Sequence, residues 1–274
     1  MIKEKIKKSL KKISVTGLAA AILASTIIAP KANAETSIYP IFSTSISQLQ
    51  LNNKFLNNLN DEYSKNIRGW NLRPTWWPIE QAKVLNSVGI GIDVSLEKNL
   101  YFTANFSICS FNSIYDQSYI FTDPDYGDYR DRVVREEKNE LSKYAGGIKL
   151  KKNLSDKVKL GISALVDFYN LNGSANLTRT KGTLGNPSSY TQLRTAKYSG
   201  GNYGLSAELD LSMIISRHFS AGLGIGYDSA NVNTKGTETR KSSSSPNSIE
   251  KDYSPEYNLN GIRACLSVSY SFSF

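Results

Sequence analysis

His218 is the only imidazole in this chain of 274 residues, so any mechanism that needs a histidine must use it. It lies in the short segment Ser216-Arg217-His218, between two runs of alternating residues. A general acid or base must lie within hydrogen-bond reach of the proton that it transfers. A residue held in so tight a turn does not supply that geometry. We therefore interpret His218 as a structural turn residue, and we predict no catalytic residue and no enzymatic activity.

The acidic segment 113–140 is the other candidate for site chemistry. Its carboxylates belong to Asp116, Asp123, Asp125, Asp128, Asp131, Glu136, Glu137 and Glu140. Calcium prefers clustered carboxylate oxygens, but the spacing Asp123-Pro124-Asp125-Tyr126-Gly127-Asp128 does not match a calcium-binding EF-hand loop. We predict no metal and no cofactor. The interspersed Tyr and Arg residues favour a solvated or partner-facing surface, since both types are enriched at binding hot spots.

The N-terminus has the layout of an export signal. Six lysines between Lys3 and Lys12 precede an uncharged run from Ile13 to Ile28, and Ala32-Asn33-Ala34 follows shortly after this run. This pattern predicts a secretory signal peptide over residues 1–34 that is cleaved after Ala34. The remaining domain, 35–274, keeps 26 Lys+Arg against 23 Asp+Glu, a net charge of +3. Nucleic-acid-binding domains concentrate basic residues on one face, so this balance argues against a nucleic-acid partner.

Strict alternation over the last residues predicts a membrane-crossing strand. Every second position is apolar, and the set is Ile262, Ala264, Leu266, Val268, Tyr270, Phe272 and Phe274. This exceeds the ~9–11 residues that cross a bilayer as a tilted strand. Three upstream hairpins share the pattern, with short turns near residues 97–99, 152–156 and 216–218. A weaker strand covers Ile38 to Ser47.

The connections alternate in length. Three short turns alternate with four long segments, which we predict to be loops near residues 48–83, 113–140, 171–195 and 230–256. Short periplasmic turns and long external loops on an even number of strands are typical of bacterial outer-membrane barrels. The sequence therefore predicts an all-β, up-and-down antiparallel transmembrane β-barrel of eight strands, with ten as the alternative.

The distribution of charge between the two strand faces separates a membrane barrel from a soluble one such as a lipocalin. One face is almost uniformly apolar, and the other carries small residues and charges, including Asp93, Lys149, Lys159, Asp167, Glu208, Asp210, Asp228 and Arg263. An eight-strand interior is only just wide enough for side chains. The apolar face therefore suits lipid. Isolated lumenal charges are costly, so Arg263 should pair with Glu208, Asp210 or Asp228 in a lumenal charge network.

Cys109 and Cys265 both face the lumen by parity, on strands that are not neighbours in this order. A disulfide needs Cα atoms within about 7 Å. We predict two free thiols that fill space in the lumen.

The chain resembles the small outer-membrane barrels of the OmpA-transmembrane-domain, OmpX/Ail and opacity-protein type. The resemblance covers residues 35–274 and depends on the hairpin architecture and the terminal Phe274. It implies location in the outer membrane of a Gram-negative-type bacterium. It also implies that Tyr270, Phe272 and Phe274 form the signal read by the barrel assembly machinery.

The long segments provide the predicted contacts. Trp70, Trp76 and Trp77 precede the second strand and suit an aromatic girdle at a membrane interface. Segment 171–195 has no acid and carries Arg179, Lys181 and Arg194, which could contact lipopolysaccharide phosphates or a polyanionic host surface.

The favoured function is therefore a surface-exposed structural or adhesive barrel whose loops meet lipid, host molecules or neighbouring cells. Two alternatives stay open. One is a narrow pore-forming channel, and the other is an omptin-like or lipid-modifying surface enzyme.

Overall fold

The computed structural model describes residues 35–48, 51–52, 82–123, 127–183, 186–243 and 245–273. Nearly all of these residues lie in antiparallel strands. The strands are β1 Glu35–Gln48, β2 Leu51–Asn52, β3 Ala82–Glu97, β4 Leu100–Asp123, β5 Gly127–Asn153, β6 Val158–Thr183, β7 Asn186–Ile214, β8 Phe219–Ser242, β9 Ser245–Tyr253, β10 Glu256–Asn258 and β11 Gly261–Ser273. Among the residues described, no helix is long and apolar enough to span a bilayer.

Eight of the strands close a ring. The order is β11-β1-β3-β4-β5-β6-β7-β8, and β8 pairs with β11 to complete the circle. Each of these eight strands pairs with the next ring strand along the chain, and the last, β11, also pairs with the first, β1. The predicted eight-stranded, up-and-down antiparallel barrel is confirmed.

The three short turns lie where the sequence predicts them. β3 leads into β4 through Lys98 and Asn99, and Asn99 adopts φ 70°, a left-handed conformation that asparagine tolerates better than most residues. The β5–β6 turn covers 154–157, and the β7–β8 turn covers 215–218. All three turns lie at one end of the ring, which is the periplasmic end in the usual orientation of such barrels.

The prediction that the long segments are loops is wrong for most of 113–140, 171–195 and 230–256, while most of segment 48–83 lies outside the described residues. β4 and β5 stay paired from Leu100↔Leu150 to Asp123↔Gly127, and β6 and β7 stay paired from Val158↔Met213 to Thr183↔Asn186. These strands are 24 to 29 residues long. A bilayer is crossed in about 9–11 residues. The surplus forms a second zone beyond the membrane, which we call the extension.

The extension comprises residues 110–123 of β4, 127–141 of β5, 171–183 of β6, 186–200 of β7 and 230–242 of β8, together with β9 and β10. β9 continues the sheet by pairing with the end of β8, from Gly236↔Tyr253 to Ser242↔Ser245. β10 pairs with Asn231 to Asn233 of β8 on one side and with β2 on the other. The path from β9 to β11 therefore follows β8 downward to the ring.

Candidate functional site: the lumen and the extension

The outward side chains of the ring form an exposed apolar belt. Their exposed fractions range from 38% to 66%. The members are Phe42, Val88, Ile148, Leu150, Ile162, Val166, Phe168, Leu205, Leu209, Leu211, Met213, Phe219, Leu223, Ile225, Tyr227, Ile262, Leu266, Val268 and Tyr270. On β3 the outward residues Ile92 and Val94 are instead buried, at 3% and 1%. An apolar surface this large and continuous would be strongly unfavourable in water.

An aromatic row marks the upper edge of this belt. Phe106, Tyr144, Phe168 and Tyr203 are direct cross-strand partners on β4 to β7, and adjacent ring centroids lie 4.8, 6.4 and 5.3 Å apart. Ten residues of β6 separate Phe168 from Val158 at the turn. At 3.3 Å per residue and a tilt near 40°, that is about 25 Å, the height of the apolar band in outer-membrane barrels. The chain is an outer-membrane β-barrel.

Charges fill the periplasmic half of the barrel's lumen. Lys149 Nζ lies 2.9 Å from Asp210 Oδ2 and 3.6 Å from Asp93 Oδ2, and Lys151 Nζ lies 2.8 Å from the same oxygen of Asp93. The Tyr39 hydroxyl donates to Asp93 Oδ1 at 2.9 Å. These residues come from β1, β3, β5 and β7, so the ion pairs link opposite walls of the ring.

A second ionic group lies above the first. Arg263 Nη2 lies 3.0 Å from Glu208 Oε2, and Arg263 Nε lies 3.2 Å from Asp228 Oδ2. Lys143 Nζ lies 2.7 Å from Asp228 Oδ1 and 3.1 Å from Asp167 Oδ2. The four predicted network residues thus lie in the lumen, where Glu208 and Asp228 contact Arg263 and Asp210 contacts Lys149. Since every cation here has at least one carboxylate within 4 Å, the desolvation of these charges is compensated locally.

Sequence reasoning missed Lys143, Lys151 and Tyr39 as lumenal residues. The alternation along β5 could have predicted Lys143 and Lys151 as lumenal, because they lie at odd positions while the apolar Tyr144, Ile148 and Leu150 lie at even, outward positions. The first strand was harder to assign, since Pro40 interrupts its pattern.

The interior changes character in the extension. An apolar cluster spans the top of the lumen and the extension, and it contains Leu85, Cys109, Phe111, Leu141, Tyr169, Leu171, Ala175, Ala196, Tyr198, Ala230, Val232, Tyr257 and Leu259. Tyr257 is 1% exposed, and Leu171 and Val232 are 0% exposed. This cluster lies directly above the ionic lumen.

Tyr257 of the short strand β10 closes the top of the lumen. Its hydroxyl donates to the Tyr198 hydroxyl at 2.7 Å, and Tyr198 donates to Asn139 Oδ1 at 2.9 Å. Its ring centroid lies 6.5 Å from that of Phe111. Burial raises the pKa of Tyr257 well above its ordinary value, so the phenol stays neutral and remains a donor.

Buried ion pairs lie further out in the extension. Arg135 contacts Glu137 and the Tyr253 hydroxyl. Glu238 contacts Arg240 at 2.5 Å and Arg194 at 3.7 Å. The expectation that the basic residues of segment 171–195 contact external anions is therefore wrong for two of the three. Arg179 and Arg194 are each 8% exposed and face the interior of the barrel.

Strand β6 shows the change along one continuous chain. Inside the membrane its even positions Ile162, Val166 and Phe168 face outward. Beyond the aromatic row the apolar residues are at odd positions, with Leu171, Ala175 and Leu177 all buried. The pairing of β6 with β7 keeps its register through this point, from Val166↔Leu205 to Leu177↔Arg194. The apolar face of the strand therefore switches from outside to inside without a bulge.

Cys109 and Cys265 are both free and buried, as predicted. Burial limits their contact with oxidants and metals.

His218 lies exposed in the β7–β8 turn. Its Nδ1 is 3.0 Å from the Ser271 carbonyl oxygen, which ties the turn to β11, and its ring lies 5.7 Å from that of Tyr270. Within the described ranges, no group of three His, Cys, Asp or Glu residues has the arrangement of a metal site.

Several residues named in the sequence predictions lie outside the described ranges. Trp70, Trp76 and Trp77 lie outside the described residues, as do Phe274 and the predicted signal peptide 1–34. Of the proposed assembly signal, Tyr270 is 45% exposed on the lipid face. Phe272 pairs with Thr36 through its backbone.

Comparison with solved structures finds bacterial outer-membrane proteins. Ail of Yersinia pestis, in a complex with the heparin analogue sucrose octasulfate, is 8% identical, with a TM-score of 0.38 over 88% of this chain and 100% of that chain. OprG of Pseudomonas aeruginosa is 9% identical, with a TM-score of 0.41 over 88% and 97%. A major outer membrane protein of Thermus thermophilus is 8% identical, with a TM-score of 0.44 over 86% and 99%. No protein-family model and no curated protein matches the sequence.

Proposed function

We propose that this barrel is a non-catalytic surface protein whose extension presents a rigid, preformed binding surface to host molecules or neighbouring cells. The observation that carries the proposal is the sealed apolar core of the extension, formed around Tyr257, Leu171 and Val232. Such a core holds strands β4 to β9 in one shape beyond the membrane. A surface that is already ordered loses less conformational entropy on binding than a flexible loop does.

The outer face of the extension is mostly polar and carries both signs of charge, and it also exposes Ile114, Leu193 and Ile249. Lys138 on β5 and Lys197 on β7 lie on one cross-strand row. Ser174 on the intervening strand β6 pairs with both of them. Lys235 lies close by, opposite Ser199. All three lysines are exposed. Together they place three cations near one another on this face, where Glu136 and Glu140 flank Lys138. These lysines suit an anionic partner, since exposed cations attract anions over about a Debye length.

The same core supports a lumen that does not conduct ions. Below Tyr257, cavities of about 50 and 30 Å³ are lined in part by Lys143, Asp228, Arg263 and Glu208, and a cavity of about 100 Å³ lies at the periplasmic mouth beside Lys149 and Asp210. A water molecule occupies roughly 30 Å³ in the liquid. Cavities of this size hold a few waters each, between the ion pairs. The narrow pore is the second candidate function, and the ionic character of the lumen favours it.

Two measurements test the proposal. In planar bilayers, the wild-type barrel should show no single-channel steps, and frequent steps of uniform size would instead establish the pore. In cell-binding assays, bacteria displaying the wild type should bind host cells or matrix-coated surfaces more than cells with an empty vector. Replacement of Lys138, Lys197 and Lys235 by Gln should reduce that binding severalfold.

The matched control removes three cations from the opposite end. Lys152→Gln, Lys157→Gln and Arg217→Gln change the net charge by the same amount on the periplasmic turns. Adhesion that falls equally in both triple variants, with equal surface display, would overturn the assignment of binding to the extension.

A further inference from the structure

Two periplasmic turns share one backbone design. In the β5–β6 turn, the amides of Leu154 and Ser155 both donate to the Val158 carbonyl oxygen, at 2.9 and 3.2 Å, and the Val158 amide donates to Ser155 Oγ at 3.2 Å. In the β7–β8 turn, the amides of Ile215 and Ser216 donate to the Phe219 carbonyl oxygen at 2.9 and 3.1 Å.

The Phe219 amide likewise donates to Ser216 Oγ at 3.3 Å. Each turn is therefore an ordered structure of the form aliphatic-Ser-x-x-(Val or Phe).

Each turn exposes its aliphatic residue on the lipid side. Leu154 is 55% exposed and Ile215 is 62% exposed. By parity Leu154 continues the outward row of Ile148 and Leu150, and Ile215 continues the row of Met213. An exposed apolar side chain at the rim of the belt is suited to the boundary between acyl chains and headgroups.

Cations surround these two aliphatic residues. The exposed cations in residues 152–157 are Lys152 and Lys157, against the single acid Asp156. Arg217 adds a cation from the neighbouring turn. The turns are adjacent in the ring, and the Ile214 amide donates to the Lys157 carbonyl oxygen at 2.7 Å. Lys152, Lys157 and Arg217 are all exposed, so they are available to an external anion.

The height of the apolar belt determines what these cations meet. Val158 is about 25 Å below the aromatic row, at the other edge of the hydrocarbon layer. The neighbouring turns therefore lie at the level of the phosphate groups of the periplasmic leaflet. We propose that the β5–β6 and β7–β8 turns form a binding site for the headgroup of an anionic phospholipid in that leaflet. Lys152, Lys157 and Arg217 contact the phosphate oxygens, and Leu154 and Ile215 contact the upper part of the acyl chains.

Native mass spectrometry of the full barrel, released from mixed vesicles of phosphatidylglycerol and phosphatidylcholine, tests the proposal. The wild type should retain phosphatidylglycerol in preference to phosphatidylcholine, and high salt during vesicle equilibration should weaken this preference. A basic residue near an anionic membrane surface contributes roughly a fivefold change in affinity. The triple variant Lys152→Gln, Lys157→Gln and Arg217→Gln should therefore lose about tenfold or more of the preference.

Two controls separate this site from general charge effects and from misfolding. The variant Lys152→Arg with Lys157→Arg keeps the charge and should keep the preference. The extension variant with Lys138, Lys197 and Lys235 replaced by Gln should also keep it, whatever its effect on adhesion. Equal retention of the two lipids by the wild type would overturn the proposal, and so would an equal loss in the extension variant. Heat-shifted electrophoretic mobility checks that each variant is a folded barrel.

Discussion

The membrane ring and the extension are built from the same strands but have opposite interiors. The ring has an exterior of Leu, Ile, Val and Phe and an interior of ion pairs such as Arg263 with Glu208. The extension has an interior centred on Leu171 and Tyr257, while its outer face carries exposed residues such as Asn172 and Lys197. The medium outside the wall is the cause, since lipid accepts the apolar face below the aromatic row and water accepts the polar face above it. One strand can satisfy both conditions because its two faces alternate.

The largest expected effect is in the ring. Arg263→Leu removes the cation that contacts both Glu208 and Asp228, and it leaves those carboxylates short of a partner. Breaking a buried pair in this way costs about 3–5 kcal/mol. Urea unfolding of the refolded barrel in lipid vesicles should show this loss. Lys241→Leu, at an exposed position of the extension, is the control. Equal stability of the two variants would remove the lumenal network as a source of stability.

In the extension, the equivalent loss should come from an apolar residue. Leu171→Ala opens a cavity beside Tyr257, and buried Leu→Ala changes cost about 2–5 kcal/mol. The extension should become sensitive to protease at concentrations that leave the wild type intact, while the ring stays folded. If Leu171→Ala instead weakens only the ring, the division into two zones is wrong.

A charge scan along β6 locates the boundary between the zones. Ile162→Lys places a cation near the middle of the hydrocarbon layer and should cost about 2–4 kcal/mol. Asn176→Lys lies on the same outward row of the strand, in the extension, and should change stability by less than about 0.5 kcal/mol. Unfolding in vesicles measures both variants. Similar costs for the two would mean that the bilayer does not end at the aromatic row.

The smallest effect concerns the hydroxyl at the top of the lumen. Tyr257→Phe keeps the ring against Phe111 and removes the donor to Tyr198, which should cost about 1 kcal/mol. Conductance should stay absent, because the ring still fills the space. Tyr257→Ala empties that space, and the appearance of single-channel steps in this variant alone would identify Tyr257 as the closure of the lumen.

The ring could be predicted from the sequence because the alternation of apolar and polar residues is uniform along its strands. The apolar positions of β6, β7, β8 and β11 keep one parity across the membrane, and three tight turns fix where each hairpin reverses. The position of Arg263 in the lumen followed from the same parity. Which carboxylates it contacts could not follow, because that depends on the stagger of strands around the ring.

The strands of the extension were wrongly predicted as loops because the apolar residues there move from the outward positions of the strand to the inward positions. In β8 the apolar residues have odd numbers up to Tyr227 and even numbers at Ala230 and Val232. A search for one continuous alternation ends at that point, and the polar remainder then looks like a loop. The residues next to Tyr257 in the sequence do not indicate that its side chain points inward, since this orientation depends on its partner Tyr198 in β7.

Uninterrupted strands also limit how this molecule can change in length during evolution. Insertion of a single residue into β6 near Phe168 would turn every later side chain to the opposite wall. Leu171 and Leu177 would then point to solvent, and the partner strand β7 would need a matching insertion. We therefore expect homologues to differ in this region by even numbers of residues, added to both arms of a hairpin at once. The height of the structure above the cell surface would then vary in steps of about 5 Å, the rise of two tilted strand residues.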